Sequence, residues 1–204
     1  MPRVLNQRIR GAWDKFVRPV GKAVARSGLS ANTITVIGVL VQGYAAYLIL
    51  EGALVAAGLV TIAAGAADVL DGAVAKAKGS ASKFGALLDS TTDRLADALL
   101  FLPIAWLYAV EPDIPGHHEL WVAAVALAAL VASFLVSYVK ARAESLGFDC
   151  NVGIAERAER VILVILGLVF NIVPAMVVVL AIVSGITFLQ RLLHVASQAR
   201  SAAQ

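Results

Sequence analysis

The chain has 204 residues, of which 60% are hydrophobic and only 15% charged, with a mean hydropathy of +0.83. A soluble domain carries nearer 25% charged residues, so the composition specifies an integral membrane protein and excludes an ordinary soluble fold. The formal net charge is +3, and the single cysteine, Cys150, excludes an internal disulfide and a cysteine-based zinc site.

The segment 1–30 is basic: Arg3, Arg8, Arg10, Lys15, Arg18, Lys22 and Arg26 stand against one acid, Asp14. Met1 to Arg10 contains no apolar run and is not expected to act as a cleavable signal peptide. Within the segment Leu5, Ile9, Trp13, Val17, Val20 and Val24 recur every three or four residues. That pattern predicts an interfacial amphipathic helix over 3–26, with its cations against anionic headgroups. Ser30 or Asn32 is placed to cap the first span.

Residues 31–204 form the second part, an all-α transmembrane domain. Apolar runs predict six spans near Thr33–Leu50, Leu54–Ala77, Phe84–Val110, Leu120–Ala143, Val161–Val173 and Pro174–Val195. With six spans both termini share one side, and all 17 Lys and Arg fall there. The opposite loops carry only Glu51, Glu111, Asp113 and Glu119. The positive-inside rule then puts both termini at the cytoplasmic face of the cell membrane.

The second and third predicted spans carry four aspartates: Asp68 and Asp71, then Asp89 and Asp93. A carboxylate at mid-bilayer costs about 2.5–3.5 kcal/mol on insertion scales, so four cost roughly 10–14 kcal/mol. Spacings of three and four put each pair on one helical face. The two helices are joined by a short turn containing Gly79, so the pairs are expected to meet near the cytoplasmic end. Gly72 and Gly85 remove side chains beside them and permit close backbone approach. Oxygen ligands at this density suit Mg²⁺, Mn²⁺ or Ca²⁺, and four negative charges match two divalent cations. The competing reading is a set of proton-relay or ion-pathway aspartates, as in a cation transporter. A transporter predicts ionisable groups toward both faces, whereas here they gather at one. The histidines His117, His118 and His194 form no spaced metal motif. Asp97 continues the face of Asp89 and Asp93 and reads as a supporting or packing residue.

The aspartates lie in a longer string that resembles the signature of the CDP-alcohol phosphotransferases: DxxDGxxAR, eight residues, GxxxD, three residues, D. Asp68, Asp71, Gly72, Ala75, Gly85, Asp89 and Asp93 match seven of its eight fixed positions at the right spacing. Lys76 stands where the family has Arg, which keeps the charge and loses the bidentate fork. The resemblance implies that Asp68, Asp71 and Asp89 bind metal, and that Asp93 is the general base and adjoins the metals. It implies two Mg²⁺ ions, with Mn²⁺ as an alternative, and a homodimer. It also implies a CDP-linked lipid donor, CDP-diacylglycerol, in contact with Gly72, Lys76, Ser82 and the stretch Asn32, Thr33, Ile34, Thr35. Taken singly, Asn32, Thr35 and Ser82 read as capping or turn residues.

The signature does not choose the soluble acceptor. Ser137-Tyr138-Val139-Lys140-Ala141-Arg142-Ala143-Glu144, Glu156 to Arg160 and Gln190-Arg191 resemble the SYxKARAE, ERPER and QR strings of actinobacterial phosphatidylinositol-phosphate synthases. That resemblance implies an acceptor pocket of Ser137, Lys140, Arg160 and Arg191, and inositol 3-phosphate as acceptor. A phosphomonoester carries nearly two negative charges and suits several cations. Ala158 stands where those enzymes have Pro, and Arg142 and Arg157 are either pocket cations or partners of Glu144 and Glu159. Topology alone also demands Lys and Arg at these positions. A glycerol phosphate acceptor, giving phosphatidylglycerol phosphate, is the second reading, and no nucleic-acid partner is expected.

Overall fold

A computed structural model describes residues 19–21, 23–79, 82–110 and 119–202. Among the described residues from 31 onward six helices follow in chain order: α1 Ala31–Leu50, α2 Leu54–Lys78, α3 Lys83–Val110, α4 Leu120–Ser145, α5 Arg157–Val169 and α6 Val173–Ala202. The described residues contain no strand. The amphipathic helix expected over 3–26 lies largely outside them; residues 19–21 and 23–26 are helical.

The helix ends follow from local chemistry. Ser30 caps α1: its Oγ accepts the Thr33 N–H at 3.1 Å and pairs with the Thr33 hydroxyl at 2.8 Å. Ser82 caps α3 by accepting the Gly85 N–H at 2.9 Å. Gly147 closes α4 in the left-handed conformation, with the Phe148 N–H returning to the Ala143 carbonyl at 3.0 Å. Asn171, at φ 54°, closes α5 in the same way, with the Ile172 N–H returning to Gly167 at 2.9 Å. Pro174 then sits in the first turn of α6, where its missing N–H costs no hydrogen bond.

Among the described residues four helices are long and apolar enough to cross a membrane: α1, α2, α4 and α6. The expected third and fifth spans do not meet that measure. The stretch 83–97 of α3 holds Lys83, Asp89, Asp93, Arg94 and Asp97, and α5 has only 13 residues. The fifth helix begins at Arg157, within the Glu156 to Arg160 string that leads into the apolar run, and the sixth runs on to Ala202, beyond the apolar run that ends near Val195.

The chain divides into two compact units. The first takes the described residues of Met1–Gln42 together with Thr61–Ala96, and so contains all four signature aspartates. In it α1 and α2 approach at small residues: a Cβ on Gly38 would stand 3.3 Å from the Ala67 Cβ. Lys78, at the end of α2, donates to the carbonyls of Leu29 at 2.6 Å and Gly28 at 3.3 Å.

The second unit takes Gly43–Val60 and Asp97–Gln204. Its core joins Ile49 and Leu54 to Phe101, Ile104 and Leu107 of α3, Val122 and Ala126 of α4, Leu168 of α5, and Val177 and Leu180 of α6. The connection between α4 and α5 is tied down onto α6. Asp149 N–H donates to the Gln198 amide oxygen at 3.1 Å, and the Gln198 amide nitrogen donates back to the Asp149 carbonyl at 2.6 Å. The Ala155 N–H donates to Thr187 Oγ1 at 3.1 Å. Gly153 has φ +132°, and a Cβ there would stand 2.5 Å from Thr187 Cγ2. Gly153→Ala therefore meets both a backbone penalty and a clash, and is expected to lose about 2 kcal/mol or more. Thermal unfolding of the purified protein in detergent checks this; an unchanged midpoint would contradict it.

Candidate metal centre and cation cluster

The aspartate site is built by helix register. Asp68 and Asp71 lie one turn apart on α2, and Asp89 and Asp93 one turn apart on α3. One carboxylate oxygen from each of Asp68, Asp71 and Asp89 comes within 4.8 Å of the other two. Asp71 is buried, Asp68 half-buried and Asp89 exposed, so the group grades from the protein interior to its surface. Three carboxylates so close repel one another unless a cation or protons intervene. Hard oxygen donors in this number fit a divalent cation of the Mg²⁺ or Mn²⁺ type. Asp93 stands outside that group of three, with Arg94 Nη1 at 3.7 Å from its Oδ2.

The residues expected to contact the donor lipid sort into two kinds. Asn32 and Lys76 are exposed, and nothing lies within 4 Å of where a Gly72 Cβ would be, so these three border open space. Asn32 Oδ1 also lies 3.6 Å from the position of a Gly85 Cβ. The remaining four have local partners or are enclosed. Thr33 and Ser82 take part in helix caps. Ile34 is buried. The Thr35 hydroxyl donates to Asp71 Oδ2 at 2.5 Å. Gly72 leaves room for something other than a neighbouring helix, whereas a Cβ on Gly85 would stand 3.1 Å from Ser82 Oγ.

Two arginines of the second unit, Arg160 and Arg191, are far less exposed than surface cations usually are. Arg160 is 3% exposed; its Nη2 lies 3.5 Å from Asp97 Oδ2, and its Nη1 donates to the Ala155 carbonyl at 3.3 Å. Arg191 is also 3% exposed. It donates from Nη1 to the Val136 carbonyl at 2.7 Å and from Nε to the Val152 carbonyl at 2.9 Å, with Glu156 at 4.0 Å from Nη2. Ser137 and Lys140 are half-buried on the last turns of α4. Arg191 thus reaches the turn of α4 that precedes Ser137. Cys150 is fully buried near these cations. Burial pushes its thiol up, and Arg191 and Lys140 only partly oppose the rise, so it stays a protonated, inert thiol. An open groove of about 490 Å³ is lined by Val152, Gly153, Ile154, Gln190, Leu193 and His194; none of the four expected acceptor residues lines it.

The spacing that aligns Asp97 with Asp89 and Asp93 names no partner for it. That partner, Arg160, comes from α5, on the far side of α4 in the chain. The carbonyls that hold Arg191 carry no sequence signal at all.

Compared with known families, residues 29–193 match the model of the CDP-alcohol phosphatidyltransferases. The chain belongs to the CDP-alcohol phosphatidyltransferase family. It is an enzyme of this class. Among its relatives is the archaetidylinositol phosphate synthase of Pyrococcus horikoshii, 39% identical over 185 residues, which cover 90% of this chain and 93% of the relative. The phosphatidylinositol phosphate synthase of Mycobacterium tuberculosis has been solved with CDP-DAG bound. It superposes with a TM-score of 0.80 at 31% identity, covering 89% of this chain and 94% of that one. The same protein in complex with manganese and citrate gives a TM-score of 0.78 at 33% identity, covering 88% of each chain.

A buried ion pair has a distinctive mutational signature. Removing one partner strands a charge, at a cost of about 3–5 kcal/mol, whereas apolar replacement of both is near neutral. Asp97→Ala is accordingly expected to lower the thermal midpoint sharply, and Asp97→Leu with Arg160→Met to recover most of the loss. Equal stability of Asp97→Ala and wild type would contradict the pairing.

Proposed function

We propose that this phosphatidyltransferase family member transfers a phosphatidyl group from CDP-diacylglycerol to inositol 3-phosphate, giving phosphatidylinositol phosphate and CMP. The observation that carries the reading is the convergence of Asp68, Asp71 and Asp89 in the frame of the family signature. The acceptor is supported by the relatives. The archaetidyl and phosphatidyl synthases differ in the lipid part of their names and agree on inositol phosphate.

The step balances simply. The acceptor hydroxyl oxygen forms a bond to the lipid-side phosphorus, the bond from that phosphorus to the CMP oxygen breaks, and CMP leaves with the electron pair. Asp93, one turn along α3 from Asp89, takes the hydroxyl proton. Two divalent cations, Mg²⁺ or alternatively Mn²⁺, held by Asp68, Asp71 and Asp89 with Asp93 adjoining, would offset charge on the pyrophosphate oxygens and on departing CMP. Asn32, Gly72 and Lys76 border the space in which the nucleotide part of the donor is received, with Thr33, Ile34 and Ser82 shaping its rim. Ser137, Lys140, Arg160 and Arg191 receive the acceptor phosphate, and Lys140 is the least enclosed of the three cations.

In the same reading α3 and α5 complete six spans, with Asp97 of α3 and Arg160 of α5 buried against each other. Both termini and the aspartates face the cytoplasm at the plasma membrane, by the one-sided distribution of Lys and Arg. The enzyme works as a homodimer, like the family its signature resembles.

The purified protein, supplied with CDP-diacylglycerol and Mg²⁺, is expected to release CMP with inositol 3-phosphate well above glycerol 3-phosphate. No release with any phosphorylated polyol would overturn the enzyme reading; preference for glycerol 3-phosphate would overturn the acceptor. Asp93→Asn is expected to lower kcat by roughly 10²–10⁴-fold while still binding Mn²⁺. Unaltered turnover would remove Asp93 as the base.

A further inference from the structure

Thr35 has one hydroxyl proton, and two acceptors stand near it. The Ala31 carbonyl, one turn back on α1, lies at 3.1 Å, and Asp71 Oδ2 on α2 lies at 2.5 Å. The shorter contact falls in the range of a charge-assisted bond between a hydroxyl and a carboxylate. Thr35 is 9% exposed and Asp71 6%, so little water competes for the bond. A hydroxyl committed in this way has no proton left to offer a nucleotide or a phosphate oxygen.

The local packing makes the contact specific. One turn farther along α1, Gly38 faces Ala67, which lies one turn back along α2. That small-residue approach brings the helices close enough for a side chain as short as threonine to reach across. Threonine has two common χ1 rotamers in a helix, and the one taken here brings the hydroxyl within reach of both the Ala31 carbonyl and Asp71 Oδ2. With one oxygen tethered, Asp71 is held in one orientation toward Asp68 and Asp89.

We propose that Thr35 is a positioning residue for the cation ligand Asp71 rather than a contact to the CDP-linked donor. The proposal rests on the reading that Asp68, Asp71 and Asp89 hold a divalent cation. Partners that orient a metal ligand typically contribute 10–100-fold in metal affinity, so Thr35→Val should weaken binding by about 10-fold or more. Thr35→Ser, which restores the hydroxyl, should return the affinity toward wild type.

The test is a titration of the detergent-solubilised full chain with Mn²⁺, followed by electron paramagnetic resonance, with no nucleotide lipid present. Thr35→Ala is read by the same criterion and carries the test should Thr35→Val not be recovered folded. A second readout is KM for CDP-diacylglycerol. Any rise in Thr35→Val should disappear as Mn²⁺ is raised to saturation. Wild-type Mn²⁺ affinity in the variant, or a raised KM that saturating Mn²⁺ does not correct, would overturn the positioning role and leave the metal reading standing. A wild-type protein that binds no Mn²⁺ would overturn both.

Discussion

Mutual repulsion among three carboxylates is the constraint on which the first unit depends. Asp68, Asp71 and Asp89 approach within 4.8 Å in a chain that is 60% hydrophobic. Around them, Gly38 approaches Ala67 where α1 meets α2, Lys78 ties the end of α2 to the carbonyls of Gly28 and Leu29, and Ser30 and Ser82 cap the starts of α1 and α3. The scaffold thus presents unfavourable charges together in advance, and a divalent cation is the partner that relieves them. With the ligands preorganised in this way, cation binding requires little rearrangement.

The second unit meets the converse problem. Arg160 and Arg191 are cations buried at the ends of apolar helices, and each is answered individually. Arg160 faces Asp97, and Arg191 is held by two backbone carbonyls with Glu156 at a greater distance. The Arg191 bonds join α4, α6 and the 147–156 connection, so this cation fixes the loop beside it. These bonds accompany the burial of Arg160 and Arg191, whereas Arg142 and Arg200 lie at the surface.

Much of this was legible in the chain itself. Spacings of three and four between aspartates, with Gly79 between their helices, specify a helical hairpin with both pairs on facing sides, and three of the four carboxylates do converge. What stayed hidden was the partner of each polar group. Ser82 caps α3, which its sequence position alone suggests, whereas the bond of Thr33 to the Ser30 cap and that of Thr35 to Asp71 are seen only in the fold. A hydroxyl is equally suited to a cap, a carboxylate or a ligand, and only the fold decides. The Arg191 acceptors are carbonyls, which every residue possesses. The end of α6 lies beyond the apolar run for a related reason: apolar length marks where lipid ends, while the helix itself continues to Ala202 through polar residues.

The most direct test is to locate the cation. Crystals grown with Mn²⁺, with diffraction recorded at the manganese absorption edge, should show anomalous density among the carboxylates of Asp68, Asp71 and Asp89. Its absence there at saturating Mn²⁺, or a manganese peak only elsewhere, would contradict the account.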